Sequence, residues 1–467
     1  MKNNKTSVRQ KNIVFFNDLI FGRGNNQIIL CKFAISLYIY IVLMKRIIVL
    51  LLMVLAVALT EVARAQVVTD SNWVERVKTV VLCRNGVELE PPVLVLGSDD
   101  RLLLRFDVLG AETESYRYRI QHCDRHWQVD DLEPSEYISG FEEEPIENYN
   151  SSFTTLTDYV NYYQYVPSRY SRLLLSGNYV LTVVPQDYPD SVLLTRRFCV
   201  TEGSVATDAI VTAPYDNEAI FQRREVDVKV DNNRDYTGEM LPPQLNPAYF
   251  TVVVQQNGRL DTRRELEFSG YDRGALCYRH RKANLFWGGN TFRWFDISNI
   301  RTAMYNVYHI EEYGGEWFAL LKPLEDRSRG HYVMEQVLNG GMKVNVWDRT
   351  NKQTEADYVQ VNFTLPMEYP YMNGNIYVVG DLTQWHMDER SRMEYQPERK
   401  AYTLRLQLKQ GYYAYQLLFV PKGETEGLTA TLEGDHYETP NSYTVYVYYR
   451  APSDRYDRLV GGRRVLN

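Results

Sequence analysis

The densest group of chemistry-bearing side chains is His122-Cys123-Asp124-Arg125-His126-Trp127, where imidazole, thiol and carboxylate are all metal-ligand types. On an extended strand, neighbouring side chains point to opposite faces, so His122 and Cys123 do not converge on one ion. No CxxC or HxH pair elsewhere complements them. The segment therefore reads as a structural turn leading into a core-packed Trp127, with no metal or cofactor. Past residue 65 there is no G-x-S-x-G, H-E-x-x-H, Walker A or G-x-G-x-x-G. Glu142-Glu143-Glu144 has no recognisable acid/base partner, and nothing points to the spaced carboxylate pair a glycosidase requires. The chain reads as non-enzymatic, with no catalytic residue.

The elements around these residues are strands. Glu225-Val226-Asp227-Val228-Lys229-Val230-Asp231 alternates apolar and charged residues, as a half-buried strand does. Tyr116 to Gln121, Lys343 to Trp347, Tyr358 to Phe363 and Tyr443 to Tyr449 repeat the pattern. Phe250 to Val254 leads into Asn257-Gly258, a hairpin-turn signal. There is no capped amphipathic helix of three turns. Closely spaced strands separated by Gly, Pro and Asn predict an all-β chain of tandem immunoglobulin-like, early-set β-sandwich domains.

Composition sets the boundaries. Met44-Lys45-Arg46, the apolar run Ile47 to Leu59 and Ala63-Arg64-Ala65 form a secretory signal pattern. Residues 1–65 are therefore a leader, with translation starting at Met44 or with a longer N-terminal anchor. The remainder divides into 66–203, 204–366 and 367–450, followed by a basic tail at 451–467. The leader holds nine Lys/Arg and two Asp/Glu, so its removal takes the net charge from −7 to −14. That balance, without a basic block, argues against nucleic acid and anionic lipid as partners. No membrane-spanning segment is expected after the leader. Cys83, Cys123, Cys199 and Cys277 remain, either paired in an exported compartment or as buried free thiols. The 37 tyrosines suit half-buried sheet surface and interfaces.

In the third segment, Ile376-Tyr377-Val378-Val379-Gly380-Asp381-Leu382-Thr383-Gln384-Trp385 is followed by Gly411-Tyr412-Tyr413-Ala414-Tyr415-Gln416. These stretches resemble the early-set modules that include glycogen- and starch-binding domains. An exported glycan-binding module with Trp385 as the stacking residue is therefore the alternative function. Against it stands the reading of Trp385 and Tyr415 as ordinary sandwich residues.

A longer resemblance covers nearly the whole chain after the leader. Tyr118-Arg119-Ile120-Gln121-His122-Cys123-Asp124 with Trp127, Glu136-Tyr137-Ile138-Ser139-Gly140-Phe141, and Ser176-Gly177-Asn178-Tyr179 resemble the first-domain signature of the type IX secretion system plug proteins. Gly289-Asn290-Thr291-Phe292-Arg293, Asp357-Tyr358, Glu433-Gly434-Asp435-His436, and Tyr448-Tyr449-Arg450 with Asp454-Arg455-Tyr456-Asp457-Arg458 continue it. The resemblance implies a periplasmic protein that binds the outer-membrane β-barrel translocon of that pathway and closes its periplasmic mouth. It implies structural roles for His122, Cys123, Asp124, Trp127, Glu136, Tyr137, Gly140, Ser176, Gly177, Asn178, Tyr179, Gly289, Asn290, Arg293, Asp357 and Tyr358. It does not identify the surface that meets the partner.

Overall fold

A computed structural model describes residues 68–467 except 216–219, 235, 237, 239, 240, 243, 336 and 337, together with 37, 38, 40, 43–46 and 48. The last eight are helical, and the rest of the leader, including its cleavage site, lies outside the described residues. No described helix is long and apolar enough to cross a membrane. Residues 1–66 and 67–467 are separate compact units, and the sheets belong to the second.

The principal strands, in chain order, begin with β1 (Val77–Arg84), β2 (Leu102–Leu109), β3 (Tyr116–Cys123), β4 (Tyr159–Val166), β5 (Gly177–Pro185) and β6 (Leu194–Thr201). They continue with β7 (Val205–Thr212), β8 (Arg223–Asn232) and β9 (Phe250–Gln256). Next come β10 (Arg293–Asp296), β11 (Tyr358–Pro366), β12 (Gly374–Val379), β13 (Ala401–Lys409) and β14 (Gly411–Pro421). The chain ends with β15 (Ser442–Tyr449) and β16 (Arg458–Leu466).

The fold is all-β. Its sheets are antiparallel, apart from Val93–Val95 on β6 and Glu316–Leu321 on β11, which pair in parallel. In the first lobe, a sheet built on β6-β5-β3 faces one built on β1-β2-β4, and Phe106, Tyr116, Ile120, Tyr162 and Phe198 fill the space between them. In the middle lobe, β7-β8 faces β9-β15-β16 across Val226, Val228, Val252 and Val445. The third lobe packs the β14 sheet, with β10 and β12, on β11-β13. Burying each such Val or Phe contributes about 1.5–3 kcal/mol, so alternation along a strand decides which face turns inward.

Strand pairing corrects several sequence expectations. The boundary at 366 ends β11, which pairs with β13 along its whole length, so the third lobe extends across that line. The segment 451–467 is not a tail. Most of it is β16, paired with β15, which in turn pairs with β9 about 190 residues earlier. The middle lobe is therefore assembled from two distant stretches, with the third lobe inserted between them. Lys343 to Trp347 is a strand only at Met342–Val344, and Trp347 is exposed. Asn257-Gly258 does turn the chain, with Arg259 N–H donating to Gln256 O (3.2 Å), but the β9 hairpin pairs only as far as Val254 and Arg264, so the turn opens a longer loop.

The tyrosines differ most from expectation. Nine are less than 2% exposed, so much of the excess is core instead of surface. Burial is tolerated where the hydroxyl finds a partner. Tyr162 Oη donates to Glu114 O (2.9 Å), Tyr179 Oη to Leu175 O (2.8 Å) and Tyr159 Oη to Ala356 O (2.7 Å).

Candidate functional site: the seams between three lobes

The motif residues gather where the lobes meet. At the seam between the first and middle lobes, β5 places Asn178 so that its Nδ2 donates to Asp124 O (2.9 Å) and its Oδ1 accepts from Tyr448 Oη (2.9 Å). Asp124 Oδ1 accepts from the backbone of His126 (2.9 Å) and Gln128 (2.8 Å), which shapes the turn after β3. That turn presents Arg125, whose N–H and Nη1 donate to the buried Asp457 at 3.0 and 3.2 Å. Arg458 forks onto Glu202 with two 2.8 Å bonds, and Ser176 Oγ donates to the same carboxylate (2.7 Å). Glu136 receives Arg455 at 2.6 Å. Trp127 packs on the edge of a small core shared by the two lobes. It is half-buried, in left-handed backbone, against Cys199, Val253, Tyr448 and Leu459, with Arg197 over its ring at 4.9 Å.

His122 is buried, with both ring nitrogens beside protein oxygens. Its Nδ1 meets Asp130, its Nε2 lies 3.1 Å from Ser176 O, and its ring stands edge-on to Tyr179 (4.8 Å) and Tyr456 (5.4 Å). Gly177 (φ +137°) passes so close that a Cβ there would fall 2.5 Å from His122 Nε2. Gly177→Ala is expected to destabilise the protein by about 1–3 kcal/mol. Gly203→Ala, also at positive φ but in open space, should cost less. Equilibrium denaturation of the two variants separates the contact from the backbone strain. Gly140 (φ +112°) is confined in the same way by Tyr170 O, and Tyr137 Oη donates to Ile120 O (3.3 Å).

The seam between the first and third lobes is a buried ionic network. Asp107 on β2 and Lys409 on β13 form a 2.6 Å ion pair with both side chains 1% exposed. Tyr358 Oη and Asn161 Nδ2 donate to the same carboxylate at 2.7 and 2.6 Å. Lys409 Nζ also donates to Gln353 O (2.8 Å) and lies 4.1 Å from the Tyr159 ring centre. Burial holds the Lys409 ammonium below its ordinary range, against the pull of Asp107. Beside it, Asp357 accepts from the backbone of Leu156 (2.6 Å) and Thr157 (3.0 Å), tying the first-lobe loop down.

Where the middle lobe feeds into the third, Gly289 N–H donates to Asp435 (2.9 Å) and Asn290 Nδ2 to Glu433 O (2.6 Å). The fully buried Glu433 carboxylate takes Arg293 Nε (3.0 Å), Arg327 Nε (2.8 Å) and Leu417 N–H (2.8 Å). Burial raises its pKa, but Arg293 and Arg327 outweigh burial and hold the carboxyl below the usual range.

Trp385 is wedged at the same meeting point. A Cβ on Gly258 or Gly340 would fall within 2.4 Å of the indole, whose Nε1 donates to Asp381 (2.7 Å). The two close backbones confine the ring, which stays partly exposed toward a neighbouring cavity. A cavity of about 370 Å³, lined by residues of all three lobes, lies beside it. The four cysteines are buried and free. Burial pushes the Cys123 and Cys199 thiols up to about 12, so neither is an activated nucleophile at neutral pH.

Of the seam's strongest members, the ion pair Asp107 and Lys409 is absent from the sequence-derived motifs. Lys409 ends the alternating run Leu404-Arg405-Leu406-Gln407-Leu408, where its phase marks it as solvated. Only contact with another lobe distinguishes it. Away from the seams, and against the sequence expectation, Glu225, Asp227 and His280 bring three metal-ligand atoms within 4.8 Å of one another.

Comparison with known proteins agrees with the motif reading. The profile described as "Type 9 secretion system plug protein 1st domain" matches residues 77–202, which hold β1 to β6. The crystal structure of a hypothetical protein from Parabacteroides merdae superposes with a TM-score of 0.81 at 31% identity, covering 85% of this chain and 99% of that one. No curated protein matches. With its first-lobe motifs in place and a relative matched along nearly its full length, the chain belongs to the type 9 secretion system plug protein family.

Proposed function

We propose that the chain is a non-enzymatic periplasmic plug that binds the outer-membrane translocon barrel of type IX secretion and seals its periplasmic opening. Membership of the family carries a role in type IX secretion and a place in the cell envelope. The observation that carries the finer reading is the cross-locking of three lobes by buried polar networks. Asp107–Lys409 binds the first lobe to the third, and Asn178–Tyr448 with Glu202–Arg458 binds it to the middle one. A body that must close a pore wide enough for folded proteins has to be large and stiff. Partner-free catalytic groups would add nothing to that task, and the motif side chains direct their polar chemistry at one another.

A plug must also leave when a substrate carrier needs the pore, which favours a standard-size polar interface over an obligate apolar one. Exposed aromatics such as Phe141, Phe153, Tyr170 and Tyr308 suit that kind of contact. Affinity purification of the tagged chain after in-cell cross-linking is expected to recover the translocon barrel. Recovery of no barrel, with outer-membrane permeability unchanged on deletion of the gene, would remove this reading.

A further inference from the structure

We propose that Glu225, Asp227 and His280 form a binding site for a divalent transition-metal ion of the zinc class, on the outer face of the middle lobe. Glu225 and Asp227 lie two residues apart on β8, so their side chains share one face. Tyr278 pairs with Val228, and the chain then turns back at His280 in left-handed backbone (φ +56°), which brings the imidazole beside both carboxylates. His280 Nδ1 lies 3.0 Å from Glu225 Oε1, and one ligand atom from each residue falls within 4.8 Å of the others.

Glu225 is already fixed. Its Oε2 accepts from Tyr215 N–H and its Oε1 from His280 N–H, both at 2.8 Å. Asp227 is not. Its enclosed Oδ1 has no N–H or hydroxyl donor, and its one side-chain hydrogen-bond neighbour is the Glu225 carboxyl, which can bond to it only through a proton between the two. Two adjoining carboxylates that must otherwise share a proton form an arrangement in which a cation can take the proton's place.

The ligand types set the class of ion. An imidazole with two carboxylates suits zinc and its neighbours, whereas calcium and magnesium take all-oxygen sets. On binding, a neutral imidazole carries its proton on Nε2 and offers Nδ1 to the metal. The His280 side chain is 57% exposed, so water can reach the remaining coordination position. The ion would reinforce the hold that Glu225 already has on the Tyr215 and His280 backbones from β8.

Titration of the purified protein with zinc chloride, followed by calorimetry and by thermal melting, tests the site. The expected result is one tight equivalent and a raised melting temperature, with no response to calcium. Even the outer partners of metal ligands are worth about 10–100-fold in affinity, so His280→Ala and Asp227→Asn should each weaken binding at least that much. His309→Ala, at another exposed histidine, should leave binding unchanged. Metal-free melting of each variant, matching the wild type, establishes that its fold is intact. Zinc uptake that is absent from the wild type, or equal in all variants, would overturn the assignment.

Discussion

Lys409→Met is expected to cost about 3–5 kcal/mol, read as a lowered midpoint of equilibrium denaturation. The loss arises less from the Coulomb energy of the pair than from what remains: Asp107 stays buried with no counter-charge. Its remaining donors, Tyr358 and Asn161, are neutral and cannot balance it. The double variant Asp107→Leu/Lys409→Met removes both charges and should regain much of the loss, since buried pairs exchanged for apolar residues often break even. A double variant as unstable as the single one would mean that the damage lies in packing around Tyr159 and Tyr358, and would remove the charge argument. Because the pair joins two lobes, the single variant should also broaden the transition, as the first lobe begins to unfold independently.

Glu433→Ala is expected to have an effect of similar size, about 3–5 kcal/mol, because Arg293 and Arg327 lose their shared carboxylate and Leu417 N–H loses its acceptor. The same residue predicts a pH dependence. Its carboxyl is held lower in the folded chain than in the unfolded one, so the unfolded state binds the proton first as the pH falls. The stabilisation is therefore complete at neutral pH, above the unfolded value of about 4.3, and is lost as the pH falls through the folded value. Glu433→Gln, which keeps the shape but cannot ionise, should show a shallower decline in stability on the acid side. An acid limb as steep as that of the wild type would show that Glu433 is not among the carboxylates that drive it.

Fold class was legible because the period of two is a local property. Val226, Val228 and Val230 face the core of β8 as their alternation requires. What could not be read locally was which strands pair. β9 meets β15 across an inserted lobe, and no turn or composition shift records a partner so far along the chain. Burial by another lobe is equally silent in the sequence. Asp107 occupies a β2 position that would face solvent in an isolated sandwich, and Tyr358 resembles any strand tyrosine until its hydroxyl reaches that carboxylate. The motif set did identify one end of each seam: Asn178, Asp357, Tyr358 and Arg293. It missed Asp107 and Lys409, because strand periodicity assigns both to the surface. Trp385 attracted attention for its turn and aromatic character, and it serves as a wedge between Gly258 and Gly340.

If the three locked lobes act as a plug, their effect should be visible in the pore itself. The most direct measurement is the ionic conductance of the purified translocon barrel in a planar bilayer, before and after the chain is added to its periplasmic side. The predicted result is a large open-pore conductance that falls toward baseline in a saturable manner and returns on washout, with Lys409→Met closing the pore less completely. A conductance unchanged by saturating protein, or blocked equally well by an unrelated β-sandwich protein of the same charge, would contradict the account.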